Sequence, residues 1–168
     1  MKWIIFTGTW KLTNKEVETD VRQSVRDVYG EGNAIITGGA LGVDWFCMDE
    51  ALKVDEKVER LLVIIPGTLE QYIHHFHNAL DRGSISQEAF DALEVTLREV
   101  YRRNKKALLE LPCEDITDEE YFNRDTEEVK RADAVYAFQV NNSRGTQDTI
   151  DKAVIAGLPI ELHKKYIL

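Results

Sequence analysis

The chain has 168 residues, 43% hydrophobic and 30% charged, which suffices for one globular core. No apolar run approaches the roughly 20 residues a membrane span needs. Thirty acidic against 21 basic residues leave a net charge of −9, which argues against a broad nucleic-acid surface yet allows a small anion held by backbone amides. Cys47 and Cys113 show no metal-binding or disulfide spacing. The first residues, Met1-Lys-Trp-Ile-Ile-Phe-Thr-Gly, are too brief an apolar run for a signal peptide, so reduced thiols and a cytoplasmic location are expected.

In chain order, Lys2–Thr7 reads as a strand ending at Gly8-Thr9. Thr13 and Glu16 have capping-box spacing ahead of a helical stripe of Val17, Val21, Val25 and Val28, and Gly30 and Gly32 end that helix. Asn33–Thr37 is a second strand. Gly38, Gly39 and Gly42 follow, and a helix runs to about Lys53. Arg60–Ile65 is a third strand closed by Pro66-Gly67, with a helix from Thr68 to about Leu80. Ser86 to about Leu111 reads as one long amphipathic helix stopped by Pro112. Thr117 and Glu120 have capping-box spacing before a short helix to Ala132. Asp133–Val140 is a fourth strand, followed by the turn Asn141–Thr146 and a helix to Ala156. Pro159–His163 is a fifth strand.

Strands alternating with helices predict an α/β, Rossmann-like, doubly wound and mostly parallel five-stranded sheet with helices on both faces. A single domain over 1–168 is expected, with an extra helical segment at about 84–117 whose stripe of Phe90, Leu93, Leu97 and Leu108 serves either the core or a homodimer or higher homo-oligomer.

In such a sheet, ligands bind beyond the carboxyl ends of the strands. Four ends here carry small or phosphate-friendly residues: Thr7-Gly8-Thr9, Thr37 to Gly42, Pro66-Gly67-Thr68, and Ser143-Arg144-Gly145-Thr146. Glycine permits φ > 0 and close approach of a ligand to the main chain, so a phosphate is expected on the amides of Gly38, Gly39 and Gly42, or on those of Gly145 and Thr146. Tight turns in any parallel α/β fold also use glycine, and the excess of Gly and Thr favours the cleft. Neither Gly-x-x-x-x-Gly-Lys-Ser/Thr nor Gly-x-Gly-x-x-Gly occurs, which removes a P-loop NTPase and weakens a dehydrogenase reading.

Thr7-Gly8-Thr9, Thr37-Gly38-Gly39-Ala40-x-Gly42-x-Asp44, and Asp133-x-Val135 leading to Ser143-x-Gly145-Thr146-x-x-Thr149-Ile150-x-x-Ala153 resemble the SLOG superfamily. These Rossmann-like domains include the DNA-processing protein A (Smf) domain, the Lonely Guy phosphoribohydrolases and the YspA-type nucleotide-binding proteins. The resemblance covers nearly the whole chain apart from Ser84–Thr117. It implies a nucleotide or nucleotide-derived small molecule at the C-terminal sheet edge of a sensor, carrier or degenerate enzyme. The alternatives it raises are an N-glycosidic hydrolase or ribosyl transferase and a single-stranded DNA-binding protein, the last opposed by the acidic balance. The chain departs from its relatives at Trp10 and Leu41, where they often carry Arg, and at Thr149, where the Lonely Guy enzymes carry a catalytic Glu. The Asn-Arg pair often found before the last of these motifs has its nearest match in Asn123-Arg124-Asp125.

Asp148, Glu70 and Asp44 are the carboxylates available to replace that Glu. Trp10 fits either stacking on a base or half-packing on a helix, and Asp44 either capping its helix or holding a ribose hydroxyl. Arg124 is a phosphate clamp or a solvated helix residue, and Arg144, inside a strand-end turn, faces the cleft. His74 and His77 share a helix face without an evident third ligand, so no metal is expected. No cofactor is required, a phosphorylated ligand is accommodated, and neither extended nucleic acid nor membrane is an expected partner.

Overall fold

The computed structural model describes residues 1–168. Six strands, β1 (Trp3–Gly8), β2 (Ala34–Thr37), β3 (Leu61–Pro66), β4 (Leu108–Leu111), β5 (Ala134–Val140) and β6 (Ile160–Tyr166), form one sheet in the order β4-β3-β2-β1-β5-β6. Every pairing is parallel. The helices are α1 (Lys15–Gly30), α2 (Val43–Val54), α3 (Leu69–Asp81), α4 (Gln87–Arg103), α5 (Asp118–Arg131) and α6 (Arg144–Ile155).

Alternation along each strand divides the interior. Ile4, Phe6, Ile35, Val63, Ile65 and Phe138 point into a core of 30 buried residues shared with α1, α2, α3 and α4. Ile5, Ile36, Ile64, Val135 and Ala137 point into a core of 8 shared with Val129 of α5 and with Ile150 and Ala153 of α6. Strands covered on both faces read as near-continuous apolar runs, which is why β1, β3 and β5 were plain in the sequence.

The expected five strands are six, and the expected helix from Ser86 to Leu111 is two elements. Helix α4 stops at Arg103, a 3-10 turn follows over Lys105–Ala107, and Leu108–Leu111 joins the sheet beside β3. Asn104 breaks the helix: its extended backbone ends α4, and its side chain accepts from the Lys106 amide at 3.1 Å. Leu108 continues the helical spacing of α4, so periodicity alone hid the change of element. The segment over about 84–117 therefore completes the crossover from β3, supplies β4 itself and begins the link to α5. Phe90, Leu93, Leu97, Val100 and Leu108 are buried within this one chain, so the stripe is core and not an exposed dimer face.

Two caps also differ from expectation. Helix α1 is capped by Asn14, which accepts from the Val17 amide at 2.9 Å, and Thr117 makes no side-chain cap to α5. Thr68 and Gln71 form the capping box that α3 uses. No helix is long and apolar enough to cross a membrane.

Crossovers from β1 through β4 run to one side and those from β5 to the other, so the chain leaves β1 and β5 in opposite directions. A crevice opens at their carboxyl ends.

Candidate ligand-binding cleft

A cleft of about 930 Å³ occupies that crevice. Its floor is Thr7 and Gly8 at the end of β1, with Ala40 and Asp44 from the turn after β2. One wall is Asp118, Tyr121, Phe122, Arg124, Asp125 and Glu128 of α5. A second is Asn142, Arg144, Gly145, Gln147, Asp148 and Asp151 around the start of α6. Trp10, Lys11, His75, Phe76, Ala79 and Arg82 close the remaining rim. Trp10 is 42% exposed there, with Lys11 Nζ 4.9 Å above its ring.

Asp44 organises the floor. Its carboxylate accepts from the Thr37 hydroxyl at 3.0 Å and from the Ala40 amide at 3.1 Å, with the Gly38 amide alongside. An aspartate of the chain itself thus takes up the Ala40 and Gly38 amides of the turn after β2. Asp44 neither caps α2, whose N-cap is Gly42, nor projects freely toward a ribose.

The glycines of that turn serve packing. Gly39, at φ +70°, lies so close to Val63 and Ile65 that a Cβ would fall 2.7 and 2.9 Å from them. Gly42, at φ +66°, presses on the loop after β1: a Cβ would stand 2.3 Å from the Thr9 carbonyl oxygen, which accepts from the Val43 amide. At Gly8 a Cβ would strike Val43 and the Phe138 carbonyl.

Arg124 is neither solvated nor free to clamp a phosphate. Its side chain is 14% exposed, and it donates from Nη1 to the Gly38 carbonyl at 3.0 Å and from Nε and Nη2 to Asp125 Oδ1 at 3.1 and 2.9 Å. Glu128 Oε1 lies 3.6 Å from Nε, and Asp44 Oδ2 lies 4.0 Å from Nη1. Gly38 lacks a Cβ because one would sit 2.2 Å from this guanidinium.

Three carboxylates around one cation leave excess negative charge in a dry place. Burial raises Asp44, holds Asp125 up at about 6 with Asp148 facing it, and raises Glu128 well above the usual carboxylate range, each opposed by Arg124. Glu128 is 2% exposed, and its Oε1 has no hydrogen-bond partner. No sequence motif marked it. The available signal was its place four residues beyond Arg124 on one helix face.

Glu128→Gln tests this. A carboxyl raised in the folded state binds a proton there that the unfolded chain has released, so its contribution falls as pH rises above the unfolded value. Gln cannot titrate. The variant is expected to match the wild type at pH 5 and to exceed it by ~1 kcal/mol or more at pH 8, each unit of pKa shift being worth about 1.4 kcal/mol. Urea unfolding at the two pH values reads the difference, and equal curves at both would refute a protonated Glu128.

The start of α6 is different. Ser143, its N-cap, makes no side-chain cap to the helix; its hydroxyl pairs instead with that of Thr146 at 2.6 Å. The amides of Arg144, Gly145 and Thr146 have no acceptor in the chain, and Gly145 has nothing within 4 Å of where a Cβ would be. Asp148, one turn on, is paired with Lys152, which also donates to the Phe122 carbonyl and ties α6 to α5.

Of the residues singled out from sequence, Gly8, Trp10, Asp44, Arg124, Arg144, Gly145 and Asp148 line the cleft. Thr9, Gly38, Gly39, Gly42, Ser143 and Thr146 lie next to it in the same turns. Pro66, Gly67 and Glu70 lie elsewhere: the Gly67 amide donates to the Leu111 carbonyl at 2.6 Å, and Glu70 is exposed and ion-paired with Arg98. That pairing lowers Glu70 below the ordinary carboxylate value, the opposite of what a general base at neutral pH requires. Thr149, in the place of the relatives' Glu, is buried 3.5 Å from the Thr7 hydroxyl. Trp45 donates from Nε1 to Thr96 and the Ala92 carbonyl and fastens α2 to α4. His75 packs on Phe76 and Tyr121 at the rim, while His77 pairs with Asp81. No group of three His, Cys, Asp or Glu side chains is placed to hold a metal.

No protein-family model matches this sequence, and no curated protein does. Solved structures do match. DNA processing protein A from Helicobacter pylori, described for its single-stranded DNA binding mode, superposes with a TM-score of 0.67 at 15% identity, over 99% of this chain and 64% of that one. DNA processing protein A from Streptococcus pneumoniae gives 0.60 at 12% identity, over 99% and 50%. The structural-genomics target TM1055 gives 0.57 at 14% identity, over 95% and 72%. The chain spans less than two thirds of either DNA processing protein A chain. What is shared at these identities is the fold. The chain is a Rossmann-like α/β protein that shares its fold with these DNA processing protein A chains and with TM1055.

Proposed function

We propose that this protein binds a nucleotide or nucleotide-derived small molecule in the cleft at the carboxyl ends of β1 and β5, with the ligand's anionic group at the start of α6. The observation that carries this reading is the set of three unaccepted amides at Arg144, Gly145 and Thr146, opening beside the Arg144 side chain onto a cleft at the topological switch. Trp10, Tyr121 and Phe122 supply aromatic faces for a base along the same cleft.

Titration calorimetry against mono-, di- and cyclic nucleotides and ADP-ribose compounds tests it. Saturable heat is expected for at least one compound, and silence from all of them at millimolar concentration would defeat the proposal. Gly145→Asp sharpens the test. Its Cβ meets nothing and a first-turn carboxylate favours a helix, so the fold should hold while affinity for the anionic ligand falls at least tenfold.

The hydrolase alternative has lost two of its three candidate carboxylates, since Glu70 lies outside the cleft and Asp44 is engaged by internal donors. A single-stranded DNA reading draws on the Helicobacter pylori neighbour. The charge of −9 opposes it, and a gel shift at low salt, where phosphate contacts are strongest, decides it.

A further inference from the structure

A second cavity, of about 480 Å³, lies between the loop after β1 and helices α2 and α4. Trp10, Lys11 and Ser84 line both spaces, so the cleft and this cavity meet at those residues. The rest of its lining is mainly apolar: Leu41, Trp45 and Phe46 around the start of α2, and Ile85, Ala89 and Ala92 at the start of α4, with Glu88 adding an acceptor. Its aromatic wall is preformed. Trp45 donates from Nε1 to the Thr96 hydroxyl at 3.0 Å and stands edge-on to Phe46 at 5.8 Å, and both rings are only half-buried. Sites for one small ligand span roughly 300–1,000 Å³, so the cleft alone suffices for a mononucleotide and the second cavity is a ring-sized space beyond it. Cations line the route. Lys11, Arg82 and Arg144 face the cleft, are exposed and pair with no carboxylate; Lys11 Nζ has only the Trp10 ring beside it, at the junction of the two spaces. In a chain of charge −9, cations left unpaired around one cavity suit a ligand with several phosphates.

Resting on the reading above, we propose that the cavity between α2 and α4 is a subsite for a second nucleoside, and that the ligand is a dinucleoside polyphosphate. One nucleoside and its phosphate take the cleft and the α6 amides. The phosphate linker passes Lys11 at the Trp10 loop, and the second base enters against Trp45 and Phe46, where a flat ring gains stacking and apolar contact. Joining the two ends by one tether makes the second binding event intramolecular, which raises affinity above that of either half.

The test is calorimetry with adenosine mono- and triphosphate and diadenosine tetraphosphate, and with the matching guanosine series, in magnesium-free buffer at fixed ionic strength. In at least one series the dinucleoside compound should bind at least tenfold more tightly than the triphosphate. Ala89→Phe, which fills the second cavity from a half-buried position, should erase that advantage and leave triphosphate affinity within twofold of the wild type. Ala92→Leu is a second filler should the first disturb α4, and circular dichroism reports whether the helices are intact. Equal affinity for triphosphate and dinucleoside compound in both series overturns the second subsite alone, as does an advantage that survives both fillers. If no compound of either series binds at millimolar concentration, the nucleotide reading fails with it.

Discussion

Arg124→Met is expected to be the most damaging single change outside the apolar core, with a loss of ~3–5 kcal/mol at pH 8. That is the range for removing one partner from a buried ionic cluster and leaving the other charges uncompensated. The methionine nearly fills the volume. What disappears is the donor to the Gly38 carbonyl and the one cation among Asp44, Asp125 and Glu128. The loss should shrink at pH 5, because the orphaned carboxyls, already raised by burial, then take up protons and neutralise themselves. Urea unfolding across this pH range would show the convergence. A pH-independent loss would mean that Arg124 acts through packing alone. Arg124→Lys should recover only part of the stability, since an ammonium cannot reach Gly38 and Asp125 with the same fork.

The second large effect is expected at Gly42. Ala there must hold φ +66° and place its Cβ 2.3 Å from the Thr9 carbonyl oxygen and 2.8 Å from Trp10 Cα, both backbone atoms that cannot swing aside. Left-handed strain alone costs about 1 kcal/mol, and separating two backbone segments adds to it, for a total of ~2–4 kcal/mol. The same substitution at Gly145 should be neutral or stabilising by ~0.5–1 kcal/mol, since that position is helical, open and relieved of glycine's entropy. Thermal melts of the pair separate a glycine that packs from one that stands open at the cleft. Equal effects would dissolve the distinction drawn between the two turns.

That contrast also marks how far the residues could be read without coordinates. Strand-glycine-helix grammar placed both turns at the carboxyl edge of the sheet, and both are there. It could not say that a carboxylate seven residues beyond Thr37 would take up the Gly38 and Ala40 amides of the turn after β2, since the same local pattern fits a turn with or without an internal acceptor. The fold was legible because buried parallel strands are unbroken apolar runs. The short β4 was not, since Leu108 extends the spacing of α4 and the change of element depends on Asn104. Arg124 was noticed for its chemistry, but its ties to the Gly38 carbonyl and Asp125 were not legible in the sequence. Glu128 passed unnoticed, because a glutamate on an acidic helix looks solvated until its neighbours close over it.

The central position of β1 has a consequence for the way this chain must be made. Trp3–Gly8 finds one partner in Ala34–Thr37 soon after leaving the ribosome, but its other edge waits for Ala134–Val140. Until then, a run of isoleucines and phenylalanine with unmatched main-chain groups stands as an open template. Such long-separated pairing is slow and sticky, and the nascent chain is the stage most exposed to self-association and most dependent on chaperones. Stalling translation with the chain emerged from the ribosome to just before residue 134, and to well past residue 140, should give a chaperone-bound species in the first case and a sharply diminished one in the second.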